Sequence, residues 1–511
     1  MNPKPYWQLI ILLAILKFVL PFILQSPSFE LQRDEFLYFQ QGQHPALGYL
    51  ENPPLLSYLG MISGWLGGTE FWIKFWPSII GALTVIITCL ICFEFGGKIF
   101  AQLVAGLGIN CGAFMRMHSL FQPNILDVFF WTLAIYFLIR LIKTENQKFL
   151  YAFALALAIG FWSKYSILFL IAAIGFGLLL TQQRKIYTRV NTYKALLLAA
   201  IIILPNIFWQ WQHKWPLIHH MQELQETQLQ FVNPLDFIKD QILYLLPFVF
   251  VWMAGLIWLL RNKPWGFIFW TYLFVIILLI VGRGKSYYSM GIYPPLLAAG
   301  GVAWERFTAK RYWVRYALLI FIAFLTIPFI PMLLPIWKPE KLAEFYKKYD
   351  LEKTGLLKWE DQRNHSLPQD YADMLGWKEL TVKAEKFFDL LPDSTKGNSV
   401  IYCRNYGQAG GLQFYSRQNL FRSKVYSANG SFLLWIPREI NFKNLLLVDT
   451  KMPESDDKVF QHFQTVTLVD SVTNIFSRQL GNKIIFYQNI DSTGLRLVKE
   501  RLAELKNEFR R

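Results

Sequence analysis

The chain has 511 residues, 54% of them hydrophobic and 17% aromatic, with a formal net charge of +16. That is the composition of a membrane protein, and the basic residues stand in short clusters between apolar runs, a pattern of membrane topology that excludes a groove tracking a nucleic-acid backbone. Cys89, Cys92 and Cys111 lie in apolar runs and only Cys403 lies in the polar C-terminal part, so no internal disulfide is expected to hold that part together.

In chain order, residues 7–24 form the first apolar run. Lys4 precedes it, but no small-x-small cleavage site follows, so the run is expected to stay as a span. The next stretch, 25–70, is different. It holds Asp34, Glu35 and Glu51 in a part of the chain otherwise poor in acid, and it is rich in Pro and Gly. An ordered loop or broken helix is expected there, not one continuous span. Apolar runs then recur near 75–95, 99–115, 124–141, 149–162, 166–180, 195–208, 241–260, 265–281, 291–305 and 316–335, giving about eleven spans in all.

Charge orients them. Lys98, then Arg140, Lys143 and Lys148, then Arg184, Lys185, Arg189 and Lys194, then Arg261 and Lys263, then Arg306, Lys310, Arg311 and Arg315 fall in alternate gaps. The positive-inside rule makes those gaps and the N-terminus cytoplasmic. The unusual polar residues then collect on the outer face: Asp34, Glu35 and Glu51; Arg116, His118 and Asp127; Ser163, Lys164 and Tyr165; His213, Lys214, His219 and His220; Arg283, Lys285, Tyr287 and Tyr288. Ionisable groups at membrane depth are costly and usually functional.

From about Lys338 the chain becomes charged, with helical patches at 341–349 and 379–390. Short runs at 399–404, 412–415, 431–436, 445–448, 465–469 and 483–488 read as strands, bounded by turns such as Gly410-Gly411 and Asn429-Gly430. Residues 492–511 read as a charged helix or frayed tail. The expected fold is therefore mainly α: a polytopic transmembrane helical bundle over 1–337, with a catalytic outer loop at 25–70, followed by a small extracytoplasmic α/β domain over 338–511.

Carboxylates on the outer face beside cations and aromatic rings suit one reaction, transfer of a sugar from a polyprenyl-phosphate carrier. The phosphate leaves already ionised, so it needs positive charge more than a general acid. One carboxylate remains to deprotonate the acceptor, whereas glycosidases need two. Asp34 is the candidate base, with Glu35 beside it. Glu51 is a second acid that either orients the acceptor or binds a divalent cation with a loop histidine, His213. The competing reading of Asp34-Glu35 is the capped start of a helix, and that of the histidines is an aromatic belt with Trp209, Trp211 and Trp215. Lys164, Arg283 and Lys285, the last two beside Tyr287 and Tyr288, are placed for a phosphate, with Tyr165 next to Lys164; snorkelling bases are the alternative.

Four segments carry a resemblance. They are Asp34-Glu35-x-x-Tyr38 followed by Gly48-Tyr49-Leu50-Glu51-Asn52-Pro53-Pro54-Leu55; Gln122-Pro123-Asn124-Ile125-Leu126-Asp127; Gly160-Phe161-Trp162-Ser163-Lys164-Tyr165-Ser166; and Pro205-Asn206-x-x-Trp209 with Lys285-x-Tyr287-Tyr288 and Tyr293-Pro294-Pro295. In these the chain resembles the GT-C class of membrane glycosyltransferases, in the bacterial RgtA/B/C/D-like branch of the dolichyl-phosphate-mannose–protein mannosyltransferase superfamily, with the lipid A aminoarabinose transferases nearby. The resemblance implies that Asp34 is the catalytic or acceptor-orienting acid, that Tyr38, Tyr49, Glu51 and Asp127 line one cavity, and that Lys164, Lys285 and Tyr288 face the donor phosphate. In the aminoarabinose branch a basic residue follows the second acid; Asn52 stands there in this chain, which counts against carrying over that branch's sugar, lipid A acceptor or metal site.

The expected function is transfer of a sugar from a polyprenyl-phosphate donor to an envelope lipid, glycan or protein on the outer face of a bacterial inner membrane, with no nucleic-acid partner and a divalent metal ion as the one cofactor under consideration. A transporter or flippase of lipid-linked saccharide is the rival from another class. It would carry polar residues through the depth of the bundle or show two similar halves.

Overall fold

The computed structural model describes residues 4–227, 230, 233–452 and 458–509. Each of the eleven apolar runs meets a helix. Five of these helices are long and apolar enough to cross a membrane: Trp7–Leu24, Glu70–Glu94, Pro123–Thr144, Val190–Gln212 and Tyr312–Leu333. Two bent pairs, Ile167–Leu179 with Gln182–Thr188 (110°) and Pro234–Leu243 with Leu246–Arg261 (71°), bring the number to seven if each is one span. Ile99–Asn110, Lys148–Ser163 and Gly266–Val281 are apolar but shorter. About eleven spans were expected; length and composition support five to seven among the described residues, because several apolar helices here fall short of the roughly 20 residues a crossing needs.

The first outer stretch is a broken helix, as its composition predicts. It forms Arg33–Gln43, an irregular turn, and Leu55–Trp65. Pro45 forces the break, since the residue before a proline is driven out of the helical region and His44, the C-cap, has ψ 66°. Behind this stretch, Lys17 is buried in the first helix and donates to the Ile109 carbonyl at 2.7 Å and the Phe114 carbonyl at 2.9 Å. The Ile109 carbonyl lies in the last turn of the Ile99–Asn110 helix, so the ammonium satisfies an acceptor that this helix end leaves open.

The C-terminal part is built on one five-stranded sheet of order β2-β1-β3-β5-β4. Its strands are β1 (Ser399–Cys403), β2 (Val425–Tyr426), β3 (Asn444–Asp449), β4 (Phe463–Ser471) and β5 (Lys483–Ile490). β1 pairs in parallel with β2 and β3; β5 pairs antiparallel with β3 and β4. Helices Pro339–Lys348, Trp377–Leu390 and Ser492–Asn507 form where charged helical patterns predict them. Two expected strands are helical instead. Residues 412–415 end the helix Tyr406–Tyr415, and 431–436 hold the short helix Phe432–Trp435. In the first case Asn405 caps the helix reciprocally with Gln408, and that capping box governs the apolar run after it.

This part packs directly on the first broken helix. Phe36 lies 5.4 Å from Trp377, 5.9 Å from Phe414 and 5.7 Å from Tyr415 between ring centroids, and Leu37 enters the core beneath the sheet. A Cβ on Gly410 would lie 2.6 Å from Phe36 Cβ, so only glycine lets the Tyr406–Tyr415 helix come this close. Glu30 accepts from the Trp377 and Lys378 amides at 2.8 and 3.1 Å, tying the start of the Trp377–Leu390 helix to the chain just before the broken helix.

Candidate active site

The two acids that are adjacent in sequence occupy different environments. Both lie in the first turn of Arg33–Gln43, where Gln32 and Glu35 make a capping box. Glu35 is fully buried. Its two oxygens accept from Lys74 Nζ at 2.7 and 2.6 Å, the Phe121 amide at 2.8 Å and the Gln32 amide at 2.8 Å. Every lone-pair direction of a carboxylate is thus occupied. The expectation of a catalytic Glu35 is corrected on this ground: it pins the start of its own helix to Lys74 and to the 118–122 turn, and no oxygen remains for a substrate.

Asp34 points the other way and keeps a quarter of its side chain exposed. Its Oδ1 accepts from Tyr406 Oη at 2.7 Å and from Arg33 Nε at 3.2 Å. Its Oδ2 has a single long contact, from Gln122 Nε2 at 3.4 Å. Gln122 Oε1 in turn accepts from Asn124 Nδ2 at 3.4 Å, and Asn124 Oδ1 accepts from Lys164 Nζ at 2.6 Å. Two amides therefore join Asp34 to Lys164. The ammonium of Lys164 also lies 4.2 Å from the ring centre of Tyr288 and 5.3 Å from that of Tyr287, an arrangement that holds a cation while leaving its charge available. Burial lowers Lys164 to about 8, with Asp127 opposing the change and Lys285 adding to it. Lys285 is itself lowered by burial, and Asp34 is among the charges that act on it.

The short helix Ser286–Ile292 that carries both tyrosines is fixed from behind. Ser289 Oγ and Tyr293 Oη donate to Gln241 Oε1 at 2.6 and 2.8 Å, and Ser286 Oγ donates to Asp240 Oδ2 at 2.7 Å. Asp127, buried on the same helix as Asn124, has its Oδ1 without a hydrogen-bond partner among the described residues. Tyr38 lies near both Asp34 and Glu51; burial and those two charges push its hydroxyl well above its ordinary value.

Glu51 forms the second pole. Its Oε1 accepts from the Ser431 amide at 2.7 Å; its Oε2 accepts from Ser431 Oγ and from Gln41 Nε2 at 3.1 Å. Burial raises it above the ordinary carboxylate range, and the Ser431 bonds pull back. Gly430 has φ +59°, and a Cβ there would collide with Glu51 Oε1. Gly430→Ala is accordingly expected to cost about 1–2 kcal/mol from the left-handed backbone alone and to push Ser431 off Glu51. Thermal unfolding of the purified protein checks this, and an unchanged midpoint would show that the turn has another conformation.

Of the other expected residues, Tyr49, Tyr165 and His213 are engaged by neighbouring groups of the chain. Tyr49 is buried and donates to the Gln41 carbonyl at 2.7 Å, closing its own turn. Tyr165 Oη donates to Asn206 Oδ1 and accepts from Gln210 Nε2, both at 2.9 Å, while Asn206 Nδ2 donates to the Leu47 carbonyl at 2.6 Å. Arg283 is exposed at a left-handed turn (φ +49°), and its side chain makes no hydrogen bond or ion pair among the described residues. His213 turns Nδ1 to the Trp209 carbonyl at 2.9 Å and stacks on the Trp209 ring at 4.0 Å. Glu51 is engaged by three donors, and no group of three or more His, Cys, Asp or Glu side chains converges to hold a metal ion among the described residues. The residues present do not fit a metal ion at Glu51 and His213.

Sequence reasoning missed Tyr406 and Ser431 as site residues, along with the linking amides Gln122 and Asn124. The amides stand in a segment singled out above, one turn before Asp127. For Tyr406 and Ser431 the only signals are the capping box at Asn405 and the turn at Asn429-Gly430, which announce local structure and not a partner more than 370 positions away.

Comparison with known proteins bears on the fold. A family model described as dolichyl-phosphate-mannose-protein mannosyltransferase matches residues 51–209. A lipid A galacturonosyltransferase, RgtD, of Rhizobium johnstonii is 22% identical over 236 residues, 45% of this chain and 50% of its own length; the chain thus spans about half the length of this curated relative. The crystal structure of ArnT from Cupriavidus metallidurans bound to undecaprenyl phosphate superposes with a TM-score of 0.63 at 11% identity, covering 95% of this chain and 98% of that one. Its apo form gives 0.62. The chain therefore has the GT-C fold over nearly its whole length, and the resemblance read from residues 34–295 is borne out, as is the expected fold class.

Proposed function

We propose, for a chain with the fold of the GT-C membrane glycosyltransferases, that it transfers a sugar from a polyprenyl-phosphate carrier to an envelope lipid, glycan or protein. The observation that supports this reading best is the chain of contacts from Asp34 through Gln122 and Asn124 to Lys164. It sets a solvent-open carboxylate and a desolvated ammonium on one connected frame. At one end Asp34 Oδ2 takes the proton of the acceptor hydroxyl or amine as that oxygen or nitrogen bonds to the anomeric carbon. At the other, the bond from the anomeric carbon to the phosphate oxygen breaks with its electron pair on the oxygen. Lys164, with Lys285 and the Tyr287 and Tyr288 rings, meets the negative charge of the departing phosphate. Tyr38, near both Asp34 and Glu51, orients the acceptor.

The same reading places residues 1–337 in a bacterial inner membrane with the N-terminus cytoplasmic, and residues 338–511 outside, so that the site opens where lipid-linked sugars are consumed. Mass spectrometry of envelope lipids and glycans from a strain lacking the gene tests it. One polyprenyl-phosphate sugar is expected to accumulate and one envelope product to lose that sugar, restored by the parent and not by Asp34→Asn. Failure of lipid-linked sugar to reach the outer leaflet would instead support transport.

A pH dependence follows. Lys164 is cationic below about 8 and neutral above it, so kcat/KM for the donor, which reports the free enzyme, is expected to fall as pH rises through about 8. Arginine stays charged to far higher pH, and Lys164→Arg should move this limb out of range. A limb unmoved in that variant would assign it to another group.

A further inference from the structure

The region that follows the membrane helices does more than sit above the site. It reaches both acids with one surface. Tyr406 Oη donates to Asp34 Oδ1 at 2.7 Å, and Ser431 donates to both oxygens of Glu51. The two contacts belong to one unit, because the Tyr406 amide donates to Asn429 Oδ1 at 3.2 Å, two positions before Ser431. They follow β1 and β2, whose parallel strands end at Cys403 and Tyr426, so both loops lie at the carboxyl ends of the parallel strands. Loops at that edge of an α/β sheet are where such sheets place functional side chains.

Tyr406 is itself held in place. It is the first residue of Tyr406–Tyr415, whose N-terminus is fixed by the Asn405–Gln408 capping box, and the Arg33 guanidinium lies 5.7 Å from its ring centre. The close packing at Gly410 fixes that helix on Phe36. The phenol therefore meets Asp34 from a rigid element.

From this juxtaposition we infer that Tyr406 is the positioning residue of the base. Building on the transferase reading above, it ties down Asp34 Oδ1 so that Oδ2 is the atom turned to the acceptor. The polar region after residue 338 thereby completes the active site. Arg33, Tyr38, Lys285 and Asp373 are the other charged or titratable groups whose fields meet Asp34 or are met by it. From the C-terminal side, Tyr406 donates a hydrogen bond to it.

The test uses the full-length protein purified in lipid nanodiscs. The probe is the lipid extract of the deletion strain, which supplies both carrier-linked sugar and acceptor, and product is read by mass spectrometry. Tyr406→Phe removes only the hydroxyl. Its initial rate at low extract is expected to fall about tenfold or more. Its kcat should carry the loss with KM little changed, since the carboxylate keeps its place and loses the donor that fixes its orientation. Ser431→Ala loosens the same surface at Glu51 and leaves the Tyr406 hydroxyl in place. A kcat loss at unchanged KM in Tyr406→Phe and not in Ser431→Ala supports the assignment. Such a loss in both variants, or in neither, overturns it and leaves Tyr406 as packing. Asp34→Asn in the same assay separates the two levels: turnover at the parent rate there removes the transferase reading itself, whereas an inactive Asp34→Asn beside an unaltered Tyr406→Phe removes only the role of Tyr406.

Discussion

Asp34→Asn is expected to lose sugar transfer by about 10²–10⁴-fold, the share that a positioned general base contributes, with the protein folded and expressed as the parent is. The substitution is nearly isosteric. The amide oxygen still accepts from Tyr406 Oη and Arg33 Nε, as Asp34 Oδ1 does, so the docking of the C-terminal region on the Arg33–Gln43 helix survives. What is lost is the second oxygen. Oδ2 carries only the long contact from Gln122, at 3.4 Å, and is the one oxygen of the acid pair with room for an incoming proton. The measurement is initial-rate transfer from the deletion-strain extract, beside thermal unfolding of the same preparation. A variant that turns over at the parent rate removes Asp34 from the chemistry. A variant that fails to fold shows that Asp34 is structural, as its neighbour is.

Glu35→Gln is expected to fail the opposite way. Its carboxylate is fully buried against Lys74, and removing one partner of a buried ion pair typically costs about 3–5 kcal/mol because the other charge stays unpaired. The lost negative charge also leaves the Phe121 and Gln32 amides on a weaker acceptor. Unfolding of the detergent-solubilised protein should shift to clearly lower temperature, and the 118–122 turn that carries Gln122 should loosen. A Glu35→Gln protein as stable as the parent but without turnover would restore to Glu35 the catalytic role that its place beside Asp34 suggests in the sequence. The two variants together form a clean contrast, since adjacent acids on one helix turn are assigned to chemistry and to stability respectively.

That contrast marks what can be read from the residues. The periodic signals are local. Long apolar runs place helices because every backbone polar group in a membrane must be satisfied within its own segment, and Pro45 ends the first helix of the outer stretch because proline disfavours the helical conformation of the residue before it. β3, β4 and β5 were legible as alternating or apolar runs between turns. Residues 412–415 and 431–436 fold as helix and not strand because apolar runs of four to six residues carry no period that separates the two, and the capping box before the first run decides it.

Amino-acid type and spacing alone thus determined the mainly helical membrane architecture, the position of the acid-bearing broken helix between the first two long apolar helices, and the set of acids and bases from which a site is drawn. Only the tertiary structure decided which member of each pair does what. Glu35 is saturated by Lys74 and two amides, while Asp34 is open. Glu51 is spoken for by Ser431, and His213 by Trp209. Tyr406 reaches Asp34 across more than 370 residues of chain. A carboxylate's role depends on how many donors surround it and whether water can reach it, and both are set by neighbours that the fold brings in from distant sequence, at distances of 3 Å or so that no local pattern encodes.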